Sequence, residues 1–157
     1  MEAKPERHTV SASAIIPARR ERIYSLIANY NDGHPRILPN QFSNLVVEQG
    51  GIGAGTVIRF EMSLLGRKQP FRAAVTEPEP GRVLVETYLD NNGAVTTFTI
   101  DPGSAPADSR VTISTELPVR AGFPGKIERA FSTFLLRPIY KKELENLARV
   151  ATGPFGA

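Results

Sequence analysis

Residues 48–60, EQGGIGAGTVIRF, place four glycines in the six positions from Gly50 to Gly55 and then run into a β-branched, aromatic segment. A phosphate cradle and a plain connection between strands compete for this stretch. A dinucleotide fingerprint needs G-x-G-x-x-G between a strand and a helix, because the helix N-terminus and the free amides hold the pyrophosphate. Here Gly51, Gly53 and Gly55 have the wrong spacing, a strand-like segment follows, and the Walker lysine and hydroxyl are missing. The stretch reads as a hairpin loop in which glycines supply positive φ.

Downstream of the loop the pattern stays that of strands. In GTVIRFEMSLL, Ile58, Phe60, Met62 and Leu64 alternate with Arg59, Glu61 and Ser63. PFRAAVTE, RVLVETYLD, AVTTFTID and RVTISTELPV follow, separated by PEPG, by the tight hairpin signal NNG (Asn91 to Gly93) and by the longer loop PGSAPADS. FSNLVVEQ, on the upstream side, completes six runs joined by short turns, which is the grammar of an antiparallel meander.

Further upstream, residues 8–16 alternate Val10, Ala12, Ala14 and Ile16 against small polar residues, a first half-buried strand. PARRERIYSLIANY then sets Ile23, Leu26, Ile27 and Tyr30 on one helical face. Gly33, Pro35 and Pro39 limit the next segment to one or two more helical turns. Residues 123–151 close the chain as a long helix with Pro138 inside it, where a kink or break is expected. The expected fold class is therefore α+β in the order β-α-α-β6-α: a curved seven-stranded antiparallel sheet wrapped around the C-terminal helix. One domain is expected over residues 8–151, with flexible ends at 1–7 and 152–157.

The 157 residues suit a single core. The absence of cysteine excludes disulfides, thiolate catalysis and cysteine-ligated zinc. No apolar run is long enough for a membrane span or a signal peptide, so a cytoplasmic location is expected. The formal charge is +3, but the 19 Lys and Arg are scattered among 16 acids, which argues against nucleic acid as a partner. Two histidines far apart, without ligand spacing, point to no metal site.

GGIGAGTVIRF resembles the glycine-rich loop of the birch-pollen-allergen type fold. The whole order of elements resembles the helix-grip superfamily, which includes START lipid-transfer domains and bacterial polyketide cyclase/dehydrase-like proteins. Within residues 8–150, IIPARRERIYSLIANYNDGHPRILP is similar to the opening strand and paired helices of that bacterial group, AAVTEPEPGRVLVE to its fourth turn, TTFTID to its sixth strand and RPIYKKELENLA to its final helix. The resemblance implies an apolar cavity between the sheet and the last helix, and a hydrophobic small molecule (a lipid, quinone or polyketide) as the partner. No cofactor is implied, and a monomer or a homodimer both fit.

Candidate cavity walls are Phe60, Met62, Phe71, Val85, Phe98, Ile100 and Ile113 from the strands, and Phe131, Phe134 and Leu135 from the helix. Each reads equally as ordinary core packing. His34 is the best candidate for proton transfer, since an imidazole side chain can trade protons near neutral pH, and a solvated turn histidine is its competing reading. Tyr30 is a second catalytic candidate that reads as well as a core residue with its hydroxyl at the edge. Three functions stay open: a carrier with an enclosed, mostly apolar cavity, a cyclase or aromatase with at least two polar groups converging on one cavity point, and a partner-binding module with a filled interior.

Overall fold

The protein was analysed as a computed structural model that describes residues 6–90 and 93–154. Its elements run β1 (Glu6–Ile16), α1 (Arg20–Ala28), α2 (Gly33–Ile37), β2 (Phe42–Gln49), β3 (Val57–Leu64), β4 (Arg67–Glu79), β5 (Val83–Tyr88), β6 (Val95–Pro102), β7 (Ser109–Val119) and α3 (Gly122–Thr152). The expected order of elements is the one observed. Asn91 and Asn92 of the expected hairpin, Met1–Pro5, and residues 155–157 lie outside the described residues.

The seven strands form one antiparallel sheet in the order β1-β7-β6-β5-β4-β3-β2. Each strand from β2 to β7 pairs with the next by a short turn, and β1 crosses to pair with β7 along its full length, from Glu6 opposite Val119 to Ile16 opposite Ser109. This pairing corrects the expected tail boundary. Glu6 and Arg7 belong to the strand, held by ion pairs to Arg129 and Glu116, and at the other end Thr152 belongs to α3.

Hairpin connectivity sorts the turns between two ends of the sheet. The glycine loop, the β4–β5 and β6–β7 turns and the crossing from β1 to α1 lie at one end. The β3–β4 and β5–β6 turns and the entry to α3 lie at the other.

The helix α1 starts at Arg20 and stops at Ala28, so Tyr30 falls just beyond it rather than on its face. The glycine loop causes this. Asn29 bridges to Ile52, the Tyr30 amide donates to the Gly51 carbonyl at 2.8 Å, and the Gly53 amide donates to Ala28 at 2.9 Å. A Cβ at Gly53, whose φ is +65°, would sit 2.1 Å from Glu77 Oε1. That carboxylate accepts from the Ala54 amide at 2.6 Å and from the Tyr24 hydroxyl at 2.6 Å. An internal carboxylate thus occupies the loop amide that a phosphate would need, and the loop serves to seat Tyr30.

The core joins the inner face of the sheet to α1, α2 and the second half of α3. α3 runs as a single helix through Pro138, without the break considered from the sequence. Pro138 lies on an exposed position, where the loss of one backbone hydrogen bond costs least. Apart from Gly125, every buried residue of α3 lies after the proline: Ile139, Tyr140, Glu143, Leu144, Asn146, Leu147 and Ala151.

Candidate functional site

Twelve residues surround an interior space between the sheet and α3: His34, Leu38, Phe42, Leu45, Ile58, Phe60, Glu86, Tyr88, Thr96, Phe98, Tyr140 and Glu143. About 350 Å³ of unfilled space lies among them and at their rim. Only about 20 Å³ of it admits the centre of a water-sized sphere, which is room for about one water. The roomy apolar cavity expected from the sequence is therefore a tight space, half of whose lining residues are polar. Aromatic packing closes it: the Phe60 ring lies 5.7 Å from both Phe42 and Phe71 and 6.0 Å from Tyr88, and Phe71 lies 5.6 Å from Tyr88.

Of the expected walls, Phe60 and Phe98 line this space. Met62, Ile100 and Ile113 are buried in the core beyond its lining, and Phe71 backs it through Phe60 and Tyr88. Val85 faces the other way. On β5 the buried positions are Leu84 and Glu86, paired across to Phe98 and Thr96, while Val85 pairs with Thr97 on the outer face. Because side chains alternate along a strand, assigning Val85 inward misplaces the whole strand by one residue. Phe131 and Phe134 are exposed and Leu135 is half-buried, none of them at the pocket. The face of α3 that reaches the sheet is set by Ile139, Tyr140, Leu144 and Leu147, and it does not continue through the phenylalanines.

His34 is buried at 2% exposure, which excludes the solvated-turn reading. Its ring stacks on Tyr30 at 4.3 Å and meets the Phe98 edge at 5.6 Å. Nδ1 lies 2.7 Å from the Ile27 carbonyl, an acceptor only, so Nδ1 must carry a proton and donate it. In the neutral ring this leaves a lone pair on Nε2. Nε2 points at Glu86 Oε1, 3.6 Å away, and the Tyr30 hydroxyl donates to the same oxygen at 2.6 Å. Tyr30, Glu86 and His34 therefore form one buried, mutually oriented cluster.

On the facing helix stands Glu143, also buried. Burial, reinforced by the nearby Glu86 charge, holds its carboxyl well above the usual carboxylate range, which favours the neutral acid over the carboxylate. Beside it Tyr140 hydrogen-bonds Thr115, which in turn bonds Thr96 at 2.7 Å. Burial pushes the Tyr30, Tyr88 and Tyr140 phenols upward, so all three stay protonated donors. The space thus holds the Glu143 carboxyl on one wall and the Glu86–His34 pair on another, between aromatic rings.

Glu86, Glu143, Tyr140 and Thr96 were not among the residues the sequence pointed to. Glu143 recurs with Ile139, Tyr140 and Leu147 at helical spacing, and Glu86 alternates with Leu84 and Tyr88. An acid on an otherwise apolar face is the signal that marks both. Among the described residues no group of three or more His, Cys, Asp or Glu could hold a metal ion.

The family model for polyketide cyclase/dehydrase and lipid transport proteins matches residues 7–152. The chain belongs to that family. This polyketide cyclase/dehydrase-type chain is similar to the solution structure of the KanY protein, with 26% identity over 94% of this chain and 99% of that one and a TM-score of 0.81. It shares its fold with the Zhui aromatase/cyclase from Streptomyces sp. R1128 (13% identity, 93% and 94% covered, TM-score 0.75). The same holds for a START superfamily protein from Mycobacterium smegmatis (17% identity, 92% and 97% covered, TM-score 0.71). No curated protein matches the sequence. These comparisons establish a ligand-binding helix-grip domain of the polyketide cyclase/dehydrase family and leave its ligand open. No helix among the described residues is long and apolar enough to cross a membrane.

Proposed function

We propose that the protein binds a small aromatic or polyketide-like carbonyl compound between the sheet and α3 and acts on it by general acid–base chemistry. The observation that carries this reading is the convergence of the Glu143 carboxyl and the Glu86–His34 pair on one aromatic-walled space. A neutral acid and a base held apart in one pocket are the requirement for moving a proton from carbon to oxygen. The Glu86–His34 pair removes a proton from the carbon beside a carbonyl, and the electron pair moves into the carbonyl. Glu143 gives its proton to the resulting oxyanion. As the enol carbon bonds to a second carbonyl of the same substrate, the enol O–H proton returns to Glu143 and the new alkoxide takes the proton held by the Glu86–His34 pair. That pair then removes a second carbon-bound proton while Glu143 protonates the departing hydroxyl, which leaves as water. Phe60, Phe98 and Tyr88 supply faces for a planar substrate.

A carrier function for a lipid-like or quinone-like molecule is the second reading, favoured by the lipid transport members of the family. The polar lining supports chemistry over plain storage, since a carrier of apolar cargo gains nothing from burying two carboxyl groups.

Deuterium exchange separates the two readings. With 2-tetralone as a model aryl ketone in heavy water, NMR should show protein-accelerated exchange of the proton between carbonyl and ring. Glu86→Gln should reduce the acceleration at least about a hundredfold, the usual worth of a general base. Exchange at the buffer rate, with ketone binding unchanged in Glu86→Gln and Glu143→Gln, would leave the carrier reading standing and remove the catalytic one.

A further inference from the structure

We infer that the exposed first half of α3, with the adjoining end of the sheet, is a docking surface for an anionic lipid membrane. Phe123, Ile127, Phe131 and Phe134 recur at helical spacing on one side of α3, and all are exposed, Phe123 at 72% and Phe134 at 74%. The second half of the same helix buries the opposite side. The turn joining β3 to β4 and the segment after β5 lie at the sheet end where α3 begins, and they expose Leu65 and Leu89 there. Four large apolar side chains are thus presented without cover along one side of α3, and Leu65 and Leu89 are exposed at the sheet end where the helix begins.

The charge around them selects the occupant. Residues 120–142 contain Arg120, Lys126, Arg129, Arg137, Lys141 and Lys142 against Glu128, and Glu6 and Glu145 pair with Arg129 and Lys142 on the same surface, so six cations stand against three acids, a net +3. The remaining charges of the chain, whose formal total is +3, cancel. A basic helix with an aromatic stripe has the composition of a segment that lies in a bilayer interface, where the rings enter the acyl boundary and the cations meet lipid phosphates. A second copy of the chain would cover the apolar stripe only by setting one basic face against another, which disfavours a symmetric dimer through this face. The surface lies outside the pocket and does not depend on the acid–base reading.

Sedimentation of the full chain with vesicles tests this. It should pellet with phosphatidylcholine vesicles containing phosphatidylglycerol and not with phosphatidylcholine alone. Partitioning should fall at least about tenfold in Phe123→Glu/Phe134→Glu and at ~0.5 M salt. Lys126→Glu/Lys141→Glu, which changes only exposed positions, carries the same expectation if the first variant melts early. Failure to pellet with the anionic vesicles at low salt, or undiminished binding in both variants, would overturn the proposal. A free protein of twice the chain mass that becomes single in the phenylalanine variant would assign the stripe to a second copy and overturn it equally.

Discussion

Two glutamates decide what the pocket can do, and their behaviour with pH is the most direct check on them. Folding raises the Glu143 pKa above its ordinary value of 4.5, so the folded state takes up a proton that the unfolded state releases. Its contribution to stability is fully present below about pH 4.5 and is lost as pH rises toward the raised folded value. Glu143→Gln keeps the neutral, hydrogen-bonding form at every pH. Thermal melts from about pH 5 upward should therefore show the variant gaining on the wild type, at up to about 1.4 kcal/mol for each pH unit across that window. A difference constant with pH would mean that Glu143 ionises normally. Neither glutamate was legible as a pocket residue, because a lone acid in a strand or helix is read as solvent-facing by default. His34 and Tyr30 were legible by type, but only the contacts to Ile27 and Glu86 assign their orientation.

At the scale of elements, α3 is two different helices in one. After Pro138 its buried residues lock into the core, and before it Leu136 is the apolar side chain that packs partly against the core among the described residues, beside polar ties from His8 Nε2 to Thr133 Oγ1 at 2.9 Å, Arg129 to Glu6 and Arg137 to the Ser11 carbonyl. Amide exchange should report this division. Residues 139–151 should exchange at least about a hundredfold more slowly than residues 123–134, because local opening of the first half exposes little apolar surface. Uniform protection would show that the helix opens as one unit. The length and position of α3 were readable from periodicity, yet its buried face was not. Phe131, Phe134 and Leu135 outweigh Tyr140 and Glu143 on any hydrophobicity argument, and only the placement of β1 and β7 beneath the helix shows which side meets the sheet. On β5 the run Val83-Leu84-Val85 left the inward parity open for the same reason, and pairing with β6 closed it.

For the molecule as a whole, the tight interior means that ligand entry requires the aromatic wall of Phe42, Phe60 and Tyr88 to part. A ketone probe that enters should stabilise the folded chain by about 2.7 kcal/mol at a hundred times its Kd, read as a rise in melting temperature. Its association should also be slow and should saturate with probe concentration at the rate of opening, because opening must come first. An unchanged melting temperature at all probe concentrations would show that the wall stays shut to this class of molecule.

The sequence alone determined the order of elements, the antiparallel meander and the structural nature of the glycine loop. Each of these follows from local information: side-chain periodicity, turn chemistry and the spacing of glycines. Only the tertiary structure decided which acids are inside, how little space remains between sheet and helix, and which side of α3 stays uncovered. Those properties depend on burial, and burial is set by strand register and by the crossing of elements far apart in the chain, which no local window of sequence contains.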